Sequence, residues 1–368
     1  MKQKNRKIIS NILVRVIGII LIALVFVGCI TISVLSNKEG LLYKKFFGNK
    51  ADVQGIVELW NIDTFESGTA SKVSHLERMA LQFEKQNKGA YILIKNMTYD
   101  ECKELLSQGQ LPDSFSFSAA LAPTIKEYLT ELEEQPSVNA VATSSARTSM
   151  QELLALPWCM GGYTLITTNE RCERAGAVIN DNLFSNVYNL GYEKKLKKST
   201  QIVYSVVYGE KNKNFPVSAL EEEARVLGLS LNMDKLATAQ NSTEMTQYNA
   251  YSYWASGKAT VLLGTQRDLS RLDGRLKSGK EQGEIIYPLS YYTDLVQYIA
   301  VAKNQDKDKQ KLCENFAKFL ISSEAQKQLS KIGMFSVISL DEPLYSDNLF
   351  SRLENSLIGV NKIDNIFV

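Results

Sequence analysis

The sequence predicts an α/β fold with mainly parallel sheets, preceded by an apolar N-terminal segment. Strand-like and helix-like patterns alternate from residue 56 to residue 321, which is typical of sheets whose strands are joined by helices. The composition, 45% hydrophobic and 22% charged, is that of a globular protein. Residues 16–35 form a run of twenty residues without a charge.

The apolar run has the length of a membrane span. A helix of twenty residues rises about 30 Å, which is roughly the thickness of the hydrocarbon core of a bilayer. The preceding residues 1–15 carry five basic side chains and no acid. Basic residues before a span favour a cytoplasmic N-terminus, so we expect the remaining chain on the extracytoplasmic side of the cell membrane.

Cys29 leaves a second interpretation of this segment open. The run Phe26-Val27-Gly28-Cys29 is similar to a bacterial lipoprotein lipobox, in which the cysteine is lipidated after cleavage. The apolar run continues past Cys29 to Leu35, which favours an uncleaved transmembrane anchor. Anchor, lipoprotein and simple secretion behind a cleaved signal peptide all place the body outside the cytoplasm.

The body follows a basic tether at residues 36–52 and contains seven predicted helices and six predicted strands. Periodic apolar residues such as Leu76, Met79 and Phe83 predict the helices, with Cys102 facing the core and Asp308 capping the last one. The predicted strands are 56–60, 91–94, 114–118, 163–168, 259–263 and 296–302. The predicted helices are 75–86, 99–108, 121–133, 182–197, 217–227, 243–256 and 308–321. The polar residues 135–149 are interpreted as a loop at a lobe boundary.

Charge and residue counts exclude several function classes. Residues 1–50 hold nine of the 42 Lys/Arg and one of the 40 Asp/Glu, so the body carries a formal charge of about −6 and nucleic-acid binding is not expected. The five cysteines form no C-x-x-C pair, and His75 is the single histidine, so neither a zinc set nor a cofactor is expected. His75 is interpreted as a solvated residue near the start of a helix.

Five blocks in the body resemble the family 1 bacterial extracellular solute-binding proteins, the carbohydrate-type receptors of ABC importers. In chain order, the blocks read VELWNIDTFESGTASKVSHLERMALQFEKQNKG, LPDSFSFS, LPWCMGGYTLITTNE, YWASGKATVLLGTQRD and FAKFLISSEAQKQLSKIGMFSV. Together they extend over residues 57–337.

The resemblance implies a two-lobe, type II periplasmic-binding-protein-like fold with the ligand held in a cleft between the lobes. By this likeness one lobe comprises residues 53–150 plus 285–328, and the other comprises residues 151–284 plus 329–368. The resemblance also implies a monomeric receptor, not an enzyme, that delivers a carbohydrate to the subunits of an ABC permease. A sensing or partner-docking module without transport is the main alternative, and an extracytoplasmic hydrolase is a more distant one.

Candidate ligand residues combine aromatic rings with planar polar groups, because a sugar offers an apolar C–H face and a rim of hydroxyls. Twelve residues are expected to line the cleft: Trp60, Asp63, Glu66, Asp113, Trp158, Tyr163, Trp254, Gln266, Arg267, Asp268, Tyr292 and Asp294. Gly161 and Gly162 are expected to let the backbone approach the ligand.

Each candidate also has a structural interpretation. The three tryptophans are equally compatible with core or hinge positions, and Arg267 and Asp268 with a surface pair and a helix cap. Many family members place Gly-Pro-Trp after the GKA strand, whereas this chain has Gly264-Thr265-Gln266-Arg267-Asp268. This departure leaves an unusual, acidic saccharide open as the ligand.

Overall fold

A computed structural model describes residues 49–175, 202–204, 216–229, 247–303, 306–346 and 349–367. The apolar run at 16–35, Cys29 and the helix predicted at 182–197 lie outside these residues. Among the described residues, no helix is both long enough and apolar enough to cross a membrane.

Strands and helices alternate along the described chain, as predicted. The strands are β1 (Asn49–Ile62), β2 (Asn87–Met97), β3 (Ser114–Phe117), β4 (Leu156–Met160), β5 (Tyr163–Thr168), β6 (Ile202–Tyr204), β7 (Val261–Thr265), β8 (Glu284–Pro288) and β9 (Val296–Val301). The helices are α1 (Lys72–Gln86), α2 (Tyr99–Ser107), α3 (Ala122–Ile125), α4 (Ala140–Ser145), α5 (Asn169–Ala175), α6 (Pro216–Val226), α7 (Gln247–Ala255), α8 (Gln266–Lys277), α9 (Lys307–Leu320), α10 (Ser323–Gln326) and α11 (Phe350–Leu357). Short 3-10 turns lie at Ala119–Leu121, Lys126–Tyr128 and Leu329–Ile332.

The strands form two sheets, and we call the parts of the chain around them the first and second lobes. The first sheet has the order β2-β1-β3-β9-β4, and the second has the order β6-β7-β5-β8. The predicted lobe boundaries stay a prediction, and β4 lies in the first sheet.

The prediction of mainly parallel sheets is wrong. Among the described strands three pairs are parallel, β1–β2, β1–β3 and β6–β7, whereas β9 pairs antiparallel with β3 and β4, and β5 pairs antiparallel with β7 and β8. The reason is the path of the chain. β4 leads directly into β5 of the other sheet, and β9 arrives directly from β8, so neither follows the strand-helix-strand crossover that makes neighbouring strands parallel.

Two local predictions also need correction. The N-cap of α9 is Asp306, whose carboxylate accepts hydrogen bonds from the backbone of Asp308 (3.0 Å) and Lys309 (3.2 Å), so Asp308 is not the cap. The helix predicted at 121–133 consists of short helical turns that end at Tyr128, because Leu129 adopts an extended backbone. The predicted loop at 135–149 contains α4.

The apolar faces of α1 and α2 are buried, and they include one residue that was interpreted as solvated. Cys102 is buried, which confirms its predicted core position. His75 is also buried, with 1% of its surface exposed, and its ring stacks on Trp158 at a centroid distance of 5.6 Å. The interpretation of His75 as solvated is therefore wrong, because it lies on the same face of α1 as Leu76 and Met79.

The environment of His75 disfavours its charged form. Burial, together with the positive charges of Arg78 and Lys331, lowers the pKa of His75 to about 3. Its Nδ1 atom has no hydrogen-bond partner among the described residues. His75 is therefore a neutral core residue at physiological pH.

Within the part of the chain that the structure describes, three segments cross between the two sheets. Gly161 and Gly162 join β4 to β5, and residues 289–295 join β8 to β9. The third crossing lies between Phe335 and α11. Phe335 forms a β-bridge with Met160 of the first sheet, and α11 packs against β8 and α8 of the second lobe. The last residues return to the first lobe, where the backbone of Ile366 donates to Ser145 O at 2.9 Å.

Candidate functional site

A buried lysine at the start of α1 holds the loop after β1 in place. The Lys72 ammonium group donates to the carbonyl of Phe65, lies 3.8 Å from the centroid of its ring, and lies 3.7 Å from Oδ1 of Asp63. Asp63 is thereby paired with the first residue of α1. Loops that follow strand ends are where α/β proteins place ligand contacts.

The same loop is fixed laterally against the turn at Gly333. The backbone of Gly68 donates to Gly333 O at 3.3 Å, and Thr69 donates to Ile332 O at 3.0 Å. A Cβ atom on Gly68 would lie 2.7 Å from Gly333 O, so the close approach requires glycine there. The loop therefore presents Glu66, 48% exposed, toward the second lobe.

The second lobe meets this loop through the start of α8. Thr265 and Asp268 form a capping box, in which each side chain accepts a hydrogen bond from the other end of the first turn. Gln266 is buried, and its amide donates to Glu66 O at 2.7 Å and accepts from the Gly162 backbone at 3.1 Å. One side chain thus links the loop, the helix and the first crossing.

Two arginines complete the contact between the lobes. Arg271 binds the Glu66 carboxylate at 3.1 Å and the Asp268 carboxylate at 3.0 Å. Arg267 donates to Gly68 O at 2.9 Å, and its Nε lies 3.9 Å from Glu66. We call Glu66, Gly68, Gln266, Arg267, Asp268 and Arg271 the cross-lobe cluster.

The cross-lobe cluster brings together four of the predicted site residues, which are Glu66, Gln266, Arg267 and Asp268. Asp63 lies at the base of the same loop. Sequence reasoning missed Arg271, although its spacing of four residues from Arg267 places both on one helix face. It also missed Thr64 and Ser118, whose hydroxyls contact each other at the ends of β1 and β3. Adjacent strand ends were the available signal for that pair.

Tyr163, Tyr292 and Asp294 lie at the crossings between the sheets. The Tyr163 hydroxyl donates to Asp294 Oδ1 at 2.6 Å, and both groups are buried. Burial and the charge of Asp294 raise the pKa of Tyr163, so its hydroxyl remains a donor at physiological pH. The Tyr292 hydroxyl donates to Asp364 at 2.8 Å. These contacts join the two crossing segments to each other and to the C-terminal segment.

The glycines of the first crossing approach protein atoms. A Cβ atom at Gly161 would lie 2.5 Å from Oε1 of Gln266, and one at Gly162 would lie 2.9 Å from Leu357. The backbone at these glycines was expected to approach the ligand. In this conformation it approaches Gln266 and α11.

The three tryptophans are buried in this conformation. Trp60 makes an edge contact with Phe115 at 6.0 Å, and its indole donates to Glu58. Trp158 stacks on His75, and Trp254 lies under the Arg171 guanidinium at 4.2 Å. Protein atoms cover all three rings, so the ligand contacts predicted for them stay predictions.

Asp113 lies apart from the cross-lobe cluster. Its carboxylate accepts from the Glu58 backbone at 2.9 Å and lies 3.4 Å from Lys309. It precedes β3, whereas Ser118 follows that strand next to the β1 loop, so Asp113 is at the opposite end of β3.

A cavity of about 520 Å³ lies beside the third crossing. Its walls include Val138, Met160, Phe335, Ile338 and Leu357. The walls come from the loop before α4, from segments that cross between the sheets and from α11, so this cavity is separate from the contact between the β1 loop and α8.

Comparison with known proteins identifies the fold. No family model matches the chain, and no curated protein matches it in sequence. Among solved structures, the cyclic α-maltosyl-1,6-maltose binding protein from Arthrobacter globiformis is similar, with a TM-score of 0.59 and 12% identity over 85% of this chain and 89% of that one. An ABC substrate-binding protein from Listeria monocytogenes in complex with cycloalternan has a TM-score of 0.56 and 13% identity over 85% of this chain and 90% of that one.

The fold is shared by proteins of different activities. Thiaminase I from Bacillus thiaminolyticus is also similar, with a TM-score of 0.51 and 12% identity over 77% of this chain and 86% of that one. At these identities the likeness shows the fold alone. The chain has the two-lobe fold of ABC substrate-binding proteins, which confirms the fold expected from the sequence resemblance.

Proposed function

We propose that this chain is an extracytoplasmic solute receptor that binds a carbohydrate between its two lobes and delivers it to an ABC permease. The observation that carries the proposal is the cross-lobe cluster, in which the loop after β1 meets the start of α8. A ligand held by both elements would favour the closed arrangement of the lobes over the open one.

The chemistry of the cluster suits a polyhydroxylated ligand. Gln266, Arg267 and Arg271 offer planar hydrogen-bonding groups at the point where the lobes meet. Such groups hydrogen-bond pairs of neighbouring hydroxyls with defined geometry. The similar proteins from Arthrobacter and Listeria, which are named for or bound to cyclic oligosaccharides, support the choice of carbohydrate.

The proposal includes attachment to the membrane through residues 16–35, or through a lipid on Cys29. An attached receptor stays close to its permease, because tethering raises the effective concentration of the two partners. The predicted lobe boundaries and the monomeric state belong to the same proposal.

A calorimetric screen of the full-length chain against oligosaccharides tests the function. The chain is purified in a detergent without a sugar headgroup, so that the detergent does not compete for the site. We expect at least one oligosaccharide to bind and to raise the unfolding temperature, because a ligand specific for the folded state stabilises it. Arg267→Gln should weaken that binding, whereas the exposed control Glu77→Gln should not.

The same screen separates the alternatives. Failure of every saccharide to bind would contradict the receptor proposal and favour a module for sensing or partner docking. Release of cleaved sugar would favour a hydrolase. In the structure the two carboxylates that a hydrolase pair would require are engaged separately, Asp63 with Lys72 and Glu66 with Arg271.

A further inference from the structure

We infer that the ligand is an anionic saccharide whose carboxylate replaces that of Glu66 between Arg271 and Arg267. This inference rests on the proposed function and specifies its substrate class. In the structure, Glu66 reaches across from the β1 loop of the first lobe and contacts two guanidinium groups of the second lobe. A carboxylate already binds at the position where the two lobes meet.

The two arginines present a continuous face to the β1 loop. Arg267 and Arg271 are four residues apart on α8, about one helical turn, so their side chains lie side by side. Arg271 is 16% exposed and Arg267 is 33% exposed, so both are partly shielded from solvent. A guanidinium group fits the planar fork of a carboxylate better than it fits a single hydroxyl.

Of the two carboxylates in the cross-lobe cluster, Glu66 is the one that can exchange. Asp268 is buried and caps α8 by accepting from the Thr265 backbone at 3.0 Å, so its removal would disrupt the helix start. The Glu66 side chain is 48% exposed, and its closest ion pair is with Arg271 at 3.1 Å. Its rotation into solvent would vacate the carboxylate position beside Arg271 and Arg267, while the bonds from Gln266 to Glu66 O and from Arg267 to Gly68 O persist.

Charge balance favours a ligand with one negative charge. With Glu66 displaced, Arg267, Arg271 and Asp268 together carry a net charge of +1. A monocarboxylate restores neutrality, whereas a neutral sugar would leave the partly buried guanidinium of Arg271 with one carboxylate fewer. A phosphate monoester would add an excess negative charge.

Titration calorimetry on acid and neutral partners tests the inference. The full-length chain, in a detergent without a sugar headgroup, is titrated with galacturonate and its methyl ester, cellobiouronate and cellobiose, sialyllactose and lactose, and glucose 6-phosphate. We expect the tightest ligand to be a carboxylic acid that binds at least about tenfold more tightly than its neutral partner, as expected for one charge-assisted contact.

Variants of the cluster distinguish exchange from general charge attraction. Glu66→Gln removes the competing carboxylate and should tighten binding of the acid about tenfold, without a comparable gain for the neutral partner. Arg271→Gln should weaken binding of the acid tenfold or more, and Arg271→Lys should restore only part of it. Glu77→Gln removes a charge from an exposed site on α1 and should change neither affinity.

The outcomes separate this inference from the proposed function. If the tightest ligand is a neutral saccharide or the phosphate ester, or if Glu66→Gln leaves the acid affinity unchanged, the exchange is refuted. A neutral saccharide as the tightest ligand would leave the receptor proposal standing. Failure of all seven compounds to bind would count against both. Thermal unfolding of each variant checks that a lost affinity does not reflect a lost fold.

Discussion

Buried His75 should make the stability of the protein depend on pH in a way that one substitution removes. The folded state keeps this histidine neutral, with a pKa of about 3, whereas the unfolded chain binds a proton near the ordinary value of about 6.5. His75 therefore leaves the free energy of unfolding unaffected above about pH 6.5 and lowers it progressively as the pH falls from 6.5 toward 3. Because His75 is the single histidine, no other imidazole contributes in this window.

The size of the effect follows from the two pKa values. Between pH 7.5 and pH 5.0, the proton taken up on unfolding lowers the free energy of unfolding by about 2 kcal/mol. Three effects lower the pKa of His75. They are burial against Trp158 of β4, the charge of Arg78 on α1 and the charge of Lys331 on the 3-10 turn Leu329–Ile332. All three effects disfavour a positive charge on His75.

Urea unfolding at pH 7.5, 6.0 and 5.0 measures the effect in the wild type and in His75→Phe. Phenylalanine keeps a ring on Trp158 but cannot be protonated. The wild type should lose about 2 kcal/mol more than the variant over this range, and the other titrating groups cancel in the comparison. Among those groups is Glu223. Burial raises its pKa, so its protonation raises the free energy of unfolding as the pH falls, which is opposite to the effect of His75. Equal losses in the two proteins would refute the assignment of His75 as buried and neutral.

Three further predictions concern the hinge, the anchor and the body. Tyr163→Phe should lower the free energy of unfolding by about 1.5–3 kcal/mol, because it removes a hydrogen bond to the buried Asp294 carboxylate; denaturant unfolding would show no change if the bond is unimportant. Cys29→Ala should leave the protein full-length and membrane-bound if residues 16–35 are an uncleaved span, whereas fractionation would find it released or unprocessed if Cys29 is lipidated. Removal of residues 1–50 should yield a soluble, folded monomer, since the remaining chain carries a charge of about −6; persistent aggregation by size-exclusion chromatography would contradict this.

The order of strands and helices was predictable because each element has its own periodicity. Apolar residues of α1 recur at Leu76, Met79 and Phe83, and β5 covers the whole range predicted for it, residues 163–168. Strand direction was not predictable in the same way. It depends on which sheet the chain enters after each strand, and the two-residue link at Gly161 and Gly162 does not reveal that it joins two sheets.

The burial of polar and aromatic side chains was harder to predict. His75 lies one helical turn from Met79, so the apolar face of α1 includes it, although its residue type suggests solvent. Trp60, Trp158 and Trp254 satisfy their indole N–H groups within the protein. A sequence does not distinguish such a buried tryptophan from one that stacks on a sugar, because both need the same ring.

Four of the six residues of the cross-lobe cluster were predictable, but its contacts were not. Glu66, Gln266 and Arg267 were identified because they follow strand ends, where ligand loops lie. Their mutual contacts join positions about 200 residues apart, as in the bond from Gln266 to Glu66. Such a contact depends on the relative placement of the two lobes, which local periodicity does not encode.

Closure of the two lobes on a bound saccharide is the central claim, and electron paramagnetic resonance distances test it most directly. Nitroxide labels on Leu81→Cys of α1 and Lys277→Cys of α8 report across the lobes, and labels on Leu81→Cys and Lys103→Cys report within the first lobe. In a Cys29→Ala background the nitroxide reagent reacts with the introduced cysteines. The other thiols are buried and burial raises their pKa values, which disfavours their reaction: Cys102, Cys159, Cys172 and Cys313. A saturating saccharide found by calorimetry should shift and narrow the cross-lobe distance distribution while the distances within the lobe stay fixed. A saccharide that binds without changing the cross-lobe distances would contradict the account.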